Sequence, residues 1–178
     1  MMELPMSQDE IATLIRANTQ KVFSTMLGLP ITASAARGGR PLAGAPDRSV
    51  ISFVGLTGQW SGSGSIQCSA NLACTISGKL LLADFDSVNS EVLDAIGEMA
   101  NMILGNFKND AESRLGTLRL STPTVVHGSS FEARNWNGQY RTSVSFDCEG
   151  ELFEVKVCLA RSQALRETLQ PAGAVAEP

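Results

Sequence analysis

The sequence predicts an α/β domain of the α+β type: two long helices packed on a mostly antiparallel sheet of about six strands. Three observations carry this expectation. The local patterns run helix, strands, helix, strands, which does not fit a regular parallel βαβ series and favours helices laid on an antiparallel sheet. Towards the C-terminus, Thr142, Val144 and Phe146 alternate with polar residues, as do Phe153, Val155 and Val157. Finally, the chain has 178 residues, 43 % of them hydrophobic and 18 % charged. That is long enough for a single core and too apolar for intrinsic disorder.

Taken in order, the first element is a helix. Ser7 is a good N-cap, and Glu10 completes a capping box. Ile11, Leu14, Ile15, Ala17, Val22, Phe23, Met26 and Leu27 then recur at helical spacing, and Gly28 and Pro30 supply the stop. Residues 31–36 read as a short strand and 36–47, rich in Gly, Pro, Ala and Arg, as an exposed loop. Val50, Ile51, Phe53, Val54 and Leu56 form a β-type run closed by Gly58, and residues 60–68 form a second, so the two make a hairpin. A short helix is expected over 71–82 and a long one over 88–112, with Asn89 or Ser90 as its N-cap. Three more strands follow, at 116–126, 139–146 and 151–160, the last two joined by a turn at Cys148, Glu149 and Gly150. Residues 127–138 read as a polar loop carrying Trp136. The domain is expected to span 7–161, followed by a loose tail at 162–178 in which only 164–169 has helical character.

Composition narrows the function. A formal net charge of −4 and a pI of about 5.0 argue against nucleic-acid binding, which needs a basic face to neutralise phosphates. No apolar run approaches the roughly 20 residues that span a bilayer, and residues 1–10 lack the basic and apolar regions of a signal peptide. Cys68, Cys74, Cys148 and Cys158 are scattered and His127 is the single histidine, so no metal site is expected and the thiols suit a reducing cytosol. Gly62 and Gly64 lack the Gly-Lys-Ser/Thr of a phosphate loop.

The most informative segment is the long second helix. On a helical wheel Val92, Leu93, Ile96, Met99, Ala100, Ile103, Leu104 and Phe107 form a broad apolar arc that should pack on the sheet. Roughly opposite lies a stripe of Glu91, Asp94, Glu98, Asn101, Gly105 and Lys108, spaced by three or four. Glu91 and Asp94 suit the positive end of the helix dipole. Glu98 sits too deep for that, and it repels Asp94 by a few tenths of a kcal/mol. Asn101 is a poor mid-helix residue, and Gly105 costs about 1 kcal/mol relative to Ala. A polar stripe is usually only a solvated face. Several local rules broken on one face are nevertheless the pattern expected where a surface is used, and a glycine lets another backbone approach.

This run, from Asp94 through Glu98, Asn101 and Gly105 to Asn106 with Pro123 downstream, resembles the CheC/CheX/FliY phosphatases of bacterial chemotaxis. Their pattern is Asp/Ser-x-x-x-Glu-x-x-Asn followed downstream by Pro, and all four positions are filled here. The likeness looks closest to CheX, because the motif occurs once: in the first helix, where two-site relatives carry another copy, Asn18 is preceded by Ile15 rather than an acid. The resemblance implies a CheC-like fold and hydrolysis of the aspartyl phosphate of a CheY-like response regulator. It casts Asn101 as the group that positions the attacking water and Glu98 as the partner of the regulator's active-site lysine. Asp94 and Gly105 fall on the partner-contacting surface. Pro123, where a strand ends or bends, is treated as structural. The chain would need no cofactor of its own, since magnesium would be held by the regulator. That agrees with a sequence that has no metal-ligand cluster and no credible Ser-His-Asp or Cys-His set. It also implies a cytoplasmic protein and a homodimer formed edge to edge through the sheet, with the strand at 139–146 or 151–160 as the candidate edge. Two alternatives stay open on the residues: a non-catalytic module that binds response regulators, and a small structural domain whose second helix mediates dimerisation. The intact Glu98 and Asn101 favour the enzyme.

Overall fold

The computed structural model describes residues 4–34, 49–129 and 140–162. The expected loop at 36–47, most of that at 127–138 with Trp136, the segment 164–169 and nearly all of the tail lie outside the described residues.

Helix α1 (Gln8–Val22) begins where the capping box places it: the Ser7 Oγ accepts the Glu10 N–H at 3.2 Å, and the Glu10 carboxylate accepts the Ser7 N–H at 2.8 Å. Two orphan donors of the first turn are thereby satisfied. The helix widens into a π-helical turn, Phe23–Leu27, and stops at Gly28, whose φ of 63° is left-handed. Strand β1 (Thr32–Ala33) follows, then β2 (Ser49–Gly58), β3 (Trp60–Ser69), α2 (Ala70–Leu81), α3 (Ser90–Leu115), β4 (Leu118–Leu120), β5 (Thr124–Gly128), β6 (Tyr140–Cys148) and β7 (Glu151–Arg161). Glu149 and Gly150 both have positive φ, 52° and 85°. This is the two-residue turn that matches the twist of the β6–β7 hairpin.

Every strand pair in the sheet is antiparallel, in the order β1-β6-β7-β3-β2-β4, with β5 also on β2. The buried residues of all three helices share one core with Val50, Val54, Leu56, Ile66, Val144, Phe146, Phe153, Val155, Val157 and Leu159 of the strands. The helices therefore cover one face of the sheet. Gly64 of β3 explains how closely α3 settles: a Cβ there would overlap the side chain of Leu104. The need is for space under a helix, not for a phosphate.

The strand expected at 116–126 is two strands, so the sheet has seven strands among the described residues where about six were expected. β4 pairs Leu120 with Leu56, and β5 pairs Thr124 with Phe53. Between these pairs β2 spends two residues, Val54 and Gly55, while the other side spends three, Ser121, Thr122 and Pro123. The extra residue is a bulge. Pro123 has no N–H to give the ladder, and Ser121 secures the bend by accepting the Gly55 N–H on its Oγ (2.8 Å) and donating its own N–H to the Gly55 carbonyl (2.9 Å). His127, expected in a loop, stands in β5 opposite Val50. β7 lies between β6 and β3, so of the two edge candidates it is excluded. Among the described residues β1 covers the outer side of β6 by pairing Thr32 and Ala33 with Asp147 and Phe146, extended by the Ser34 N–H to the Ser145 carbonyl.

Candidate functional site: the exposed ridge of α3

Asn89 sets the start of α3: its side-chain oxygen accepts the Val92 N–H at 3.0 Å. From that origin the helical period places each side chain. Val92, Ile96, Met99, Ala100, Ile103, Leu104 and Phe107 are buried, and Leu93 is half-buried. Ala95, Gly97, Ala111 and Leu115 are buried as well, so the covered arc is wider than the apolar residues alone predict.

Glu91, Asp94 and Glu98 are exposed, whereas Asn101, Gly105 and Lys108 are half-buried. The stripe therefore has two parts. Its N-terminal part is an open acidic ridge. Its C-terminal part leans over the β4–β5 bend, where Asn101 and Lys108 face the run from Leu118 to Pro123 across an open groove of about 630 Å³. The side chains of Glu98 and Asn101 make no hydrogen bond or ion pair with any described residue, and the same holds for Asp94. Gly105 lies against this groove: a Cβ on it would stand 3.7 Å from the Leu120 Cδ1, an ordinary contact.

Glu112 ties together two of the residues that line the groove, Leu118 and Lys108. Its Oε1 accepts the Leu118 N–H at 3.0 Å and the Lys108 ammonium at 2.9 Å. Those contacts, the backbone N–H foremost, hold the Glu112 carboxyl below its ordinary range. In the other long helix Asn18 is buried, and its amide donates to the Leu14 carbonyl (3.0 Å) and the Asp110 carboxylate (2.9 Å). It is committed to tying α1 to α3, so it contrasts with the uncommitted Asn101.

Other chemistry is sparse. Among the described residues no group of three or more His, Cys, Asp and Glu side chains converges on one point, and no helix is long and apolar enough to cross a membrane. Burial pushes the Cys68 thiol up to about 12 and that of Cys148 to about 11, far from the thiolate a nucleophile requires. Gly97 was not singled out from the sequence. A Cβ on it would stand 3.2 Å from the Val125 Cγ2 and 3.5 Å from the Cβ of Pro123, which lines the groove. The one signal for it was Gly97 standing four residues before Asn101, on the same flank of the helix.

The family profile described as "Chemotaxis phosphatase CheX" matches residues 50–154. The fold is similar to the crystal structure of chemotaxis protein CheX from Vibrio vulnificus, with a TM-score of 0.73 and 24 % identity over 87 % of this chain and 99 % of that one. It is equally similar to CheX from Desulfovibrio desulfuricans, with a TM-score of 0.73 and 25 % identity over 85 % and 99 %. A third likeness is to the CheX-CheY-BeF3-Mg complex from Borrelia burgdorferi, with a TM-score of 0.68 and 19 % identity over 84 % and 97 %. No curated protein matches the chain.

Proposed function

The chain belongs to the CheX family of chemotaxis phosphatases, and from that premise we propose that it hydrolyses the aspartyl phosphate of a CheY-like response regulator through the ridge of α3. The observation that carries this reading is the state of two side chains: Glu98 exposed and Asn101 half-exposed, one helical turn apart, neither with a partner among the described residues. A helix that spends an acid and a carboxamide on no internal bond has them free for another molecule. The complex of a CheX with CheY from Borrelia burgdorferi supports the kind of partner.

The chemistry needs little from the protein. In an acyl phosphate the leaving group is a carboxylate, so the P–O bond breaks readily as water attacks phosphorus, releasing inorganic phosphate and the free aspartate. The transition state is loose, and catalysis is mainly positioning and electrostatics. The Asn101 carboxamide enters the regulator's site and orients the water in line, as a glutamine does in small GTPases. Glu98, one turn back, pairs with the regulator's lysine and sets the angle of entry. Asp94 and Gly105 belong to the docking surface, the acid extending the ridge and the glycine keeping the groove shallow. Magnesium sits in the regulator's acidic pocket, and the work is done in the cytoplasm.

The test is phosphate release from phosphorylated receiver domains with and without this protein. Acceleration is expected. Binding without acceleration would leave only a recognition module. Glu98→Ala is expected to raise KM about tenfold or more, the loss of a charge-assisted contact, with the melting temperature unmoved because the side chain is exposed. An unchanged KM would remove Glu98 from the interface.

The same proposal includes a homodimer built through the outer edge of β6, the strand that β1 meets at Phe146 and Asp147 at one end of the described sheet order. Light scattering is expected to return the mass of two chains. A mass of one chain at working concentration would rule this arrangement out.

A further inference from the structure

We propose that Gly97 is a positioning residue for Asn101: having no side chain, it seats Pro123 and Val125 directly against α3 and so sets the wall of the groove in which Asn101 stands. This rests on the phosphatase reading above, and it goes beyond the Glu98 and Asn101 pair. Gly97 is buried in the interior of α3, where glycine is costlier than alanine, so its presence calls for a structural reason. That reason is contact. A Cβ on Gly97 would lie 3.2 Å from the Val125 Cγ2 and 3.5 Å from the Pro123 Cβ, the first of these tighter than van der Waals packing normally allows. Two turns on, a Cβ at Gly105 would meet its nearest neighbour at 3.7 Å. The space between α3 and the strands is thus closed at Gly97 and relaxed at Gly105, with Asn101 between them.

Pro123 cannot simply retreat. On its other side the bend is bonded to β2 in both directions, through the Gly55 N–H to the Ser121 Oγ and the Ser121 N–H to the Gly55 carbonyl. Pro123 is therefore held between a bonded bulge and a bare patch of helix. Bulk added at position 97 meets Val125 first, and must displace that side chain by a few tenths of an ångström, with the strand that follows Pro123, or else the helix turn that carries Asn101. An in-line attack tolerates little of this, since a 1 Å misplacement is enough to cost on the order of 100-fold.

The experiment compares the parent protein with Gly97→Ala, Val125→Ala and the double variant, alongside Ser113→Ala as an exposed control on the same helix. Steady-state hydrolysis of a phosphorylated receiver is expected to show kcat reduced about tenfold in Gly97→Ala, with KM within about twofold of the parent and a melting temperature equal to or above the parent's. Most of kcat should return in the double variant, where the Val125 methyl that meets the new Cβ is gone, and Ser113→Ala should match the parent. Parental kcat in Gly97→Ala, or a loss that the double variant does not recover, overturns the proposal. Should Gly97→Ala not fold, Pro123→Ala trims the wall from its other side and must show the same loss confined to kcat; parental kcat there overturns it too. A second readout needs no activity. The side-chain amide resonance of Asn101, recorded by NMR without any receiver, is expected to shift in Gly97→Ala and to return in the double variant. If that resonance does not move, the positioning role fails. If it moves and returns while the parent hydrolyses no receiver phosphate, the phosphatase reading fails and the packing relation stands.

Discussion

Asn101→Ala is expected to lower the rate of receiver dephosphorylation on the order of 100-fold, the scale of removing one transition-state hydrogen-bonding group, while leaving affinity for the receiver nearly unchanged. The separation follows from where the proposed mechanism puts the carboxamide. There it adds one ground-state contact to a docking surface shared with Glu98 and Asp94 and holds the attacking water only in the transition state, and an interaction made only there appears in kcat rather than in KM. Binding is measured separately with the receiver carrying beryllofluoride, which occupies the phosphoryl position without being hydrolysed. Stability should stay within about 0.5 kcal/mol, and alanine's better helix propensity can even raise it. Parental kcat in the variant would remove Asn101 from the reaction. An equal loss of kcat and of binding would make it a contact residue only.

The largest expected effect on folding is at Phe153. Its ring is fully buried and stacks between Phe23, at 4.9 Å and 10° between planes, and Phe146, at 5.0 Å and 17°. One side chain of β7 thereby joins the π-helical turn after α1 to the neighbouring strand β6. Phe153→Ala is expected to cost about 3–5 kcal/mol, the usual range for emptying a buried phenylalanine site. For a chain of this size that lowers the melting temperature by roughly 2–4 °C per kcal/mol. Leu152→Ala, one residue away and 45 % exposed, is expected to change stability by no more than about 0.5 kcal/mol. Denaturant melts at one fixed protein concentration measure both. A loss below about 1 kcal/mol at Phe153 would mean that the core repacks around the gap.

Much of the architecture was legible before any coordinates. The reciprocal bonds of Ser7 and Glu10, the stop at Gly28, the cap at Asn89 and the turn at Glu149 and Gly150 each lie within a few residues of sequence. Their hydrogen bonds are closed locally, so residue type at a given spacing is sufficient to specify them. The same holds for the ridge of α3. A 3.6-residue period places Glu98 and Asn101 on the outer side as soon as the apolar arc is buried.

What only the tertiary structure decided involves partners far away in the chain. The break at Ser121, Thr122 and Pro123 depends on Gly55 of β2, with which Ser121 exchanges two hydrogen bonds. Alternation reads as one strand there because bulge and ladder look alike without the opposing strand. β7 is interior, and β6 nearly an edge, because of the order in which strands assemble, which alternation does not encode. Asn101 is half-buried and Glu98 exposed because the β4–β5 bend covers one flank of α3 and not its crest. The sequence thus determined which residues share the ridge, through a local periodicity. The packing of the β4–β5 bend along one flank of α3 decided that Asn101 is half-covered while Glu98 stays open, because that contact exists only once the sheet has closed.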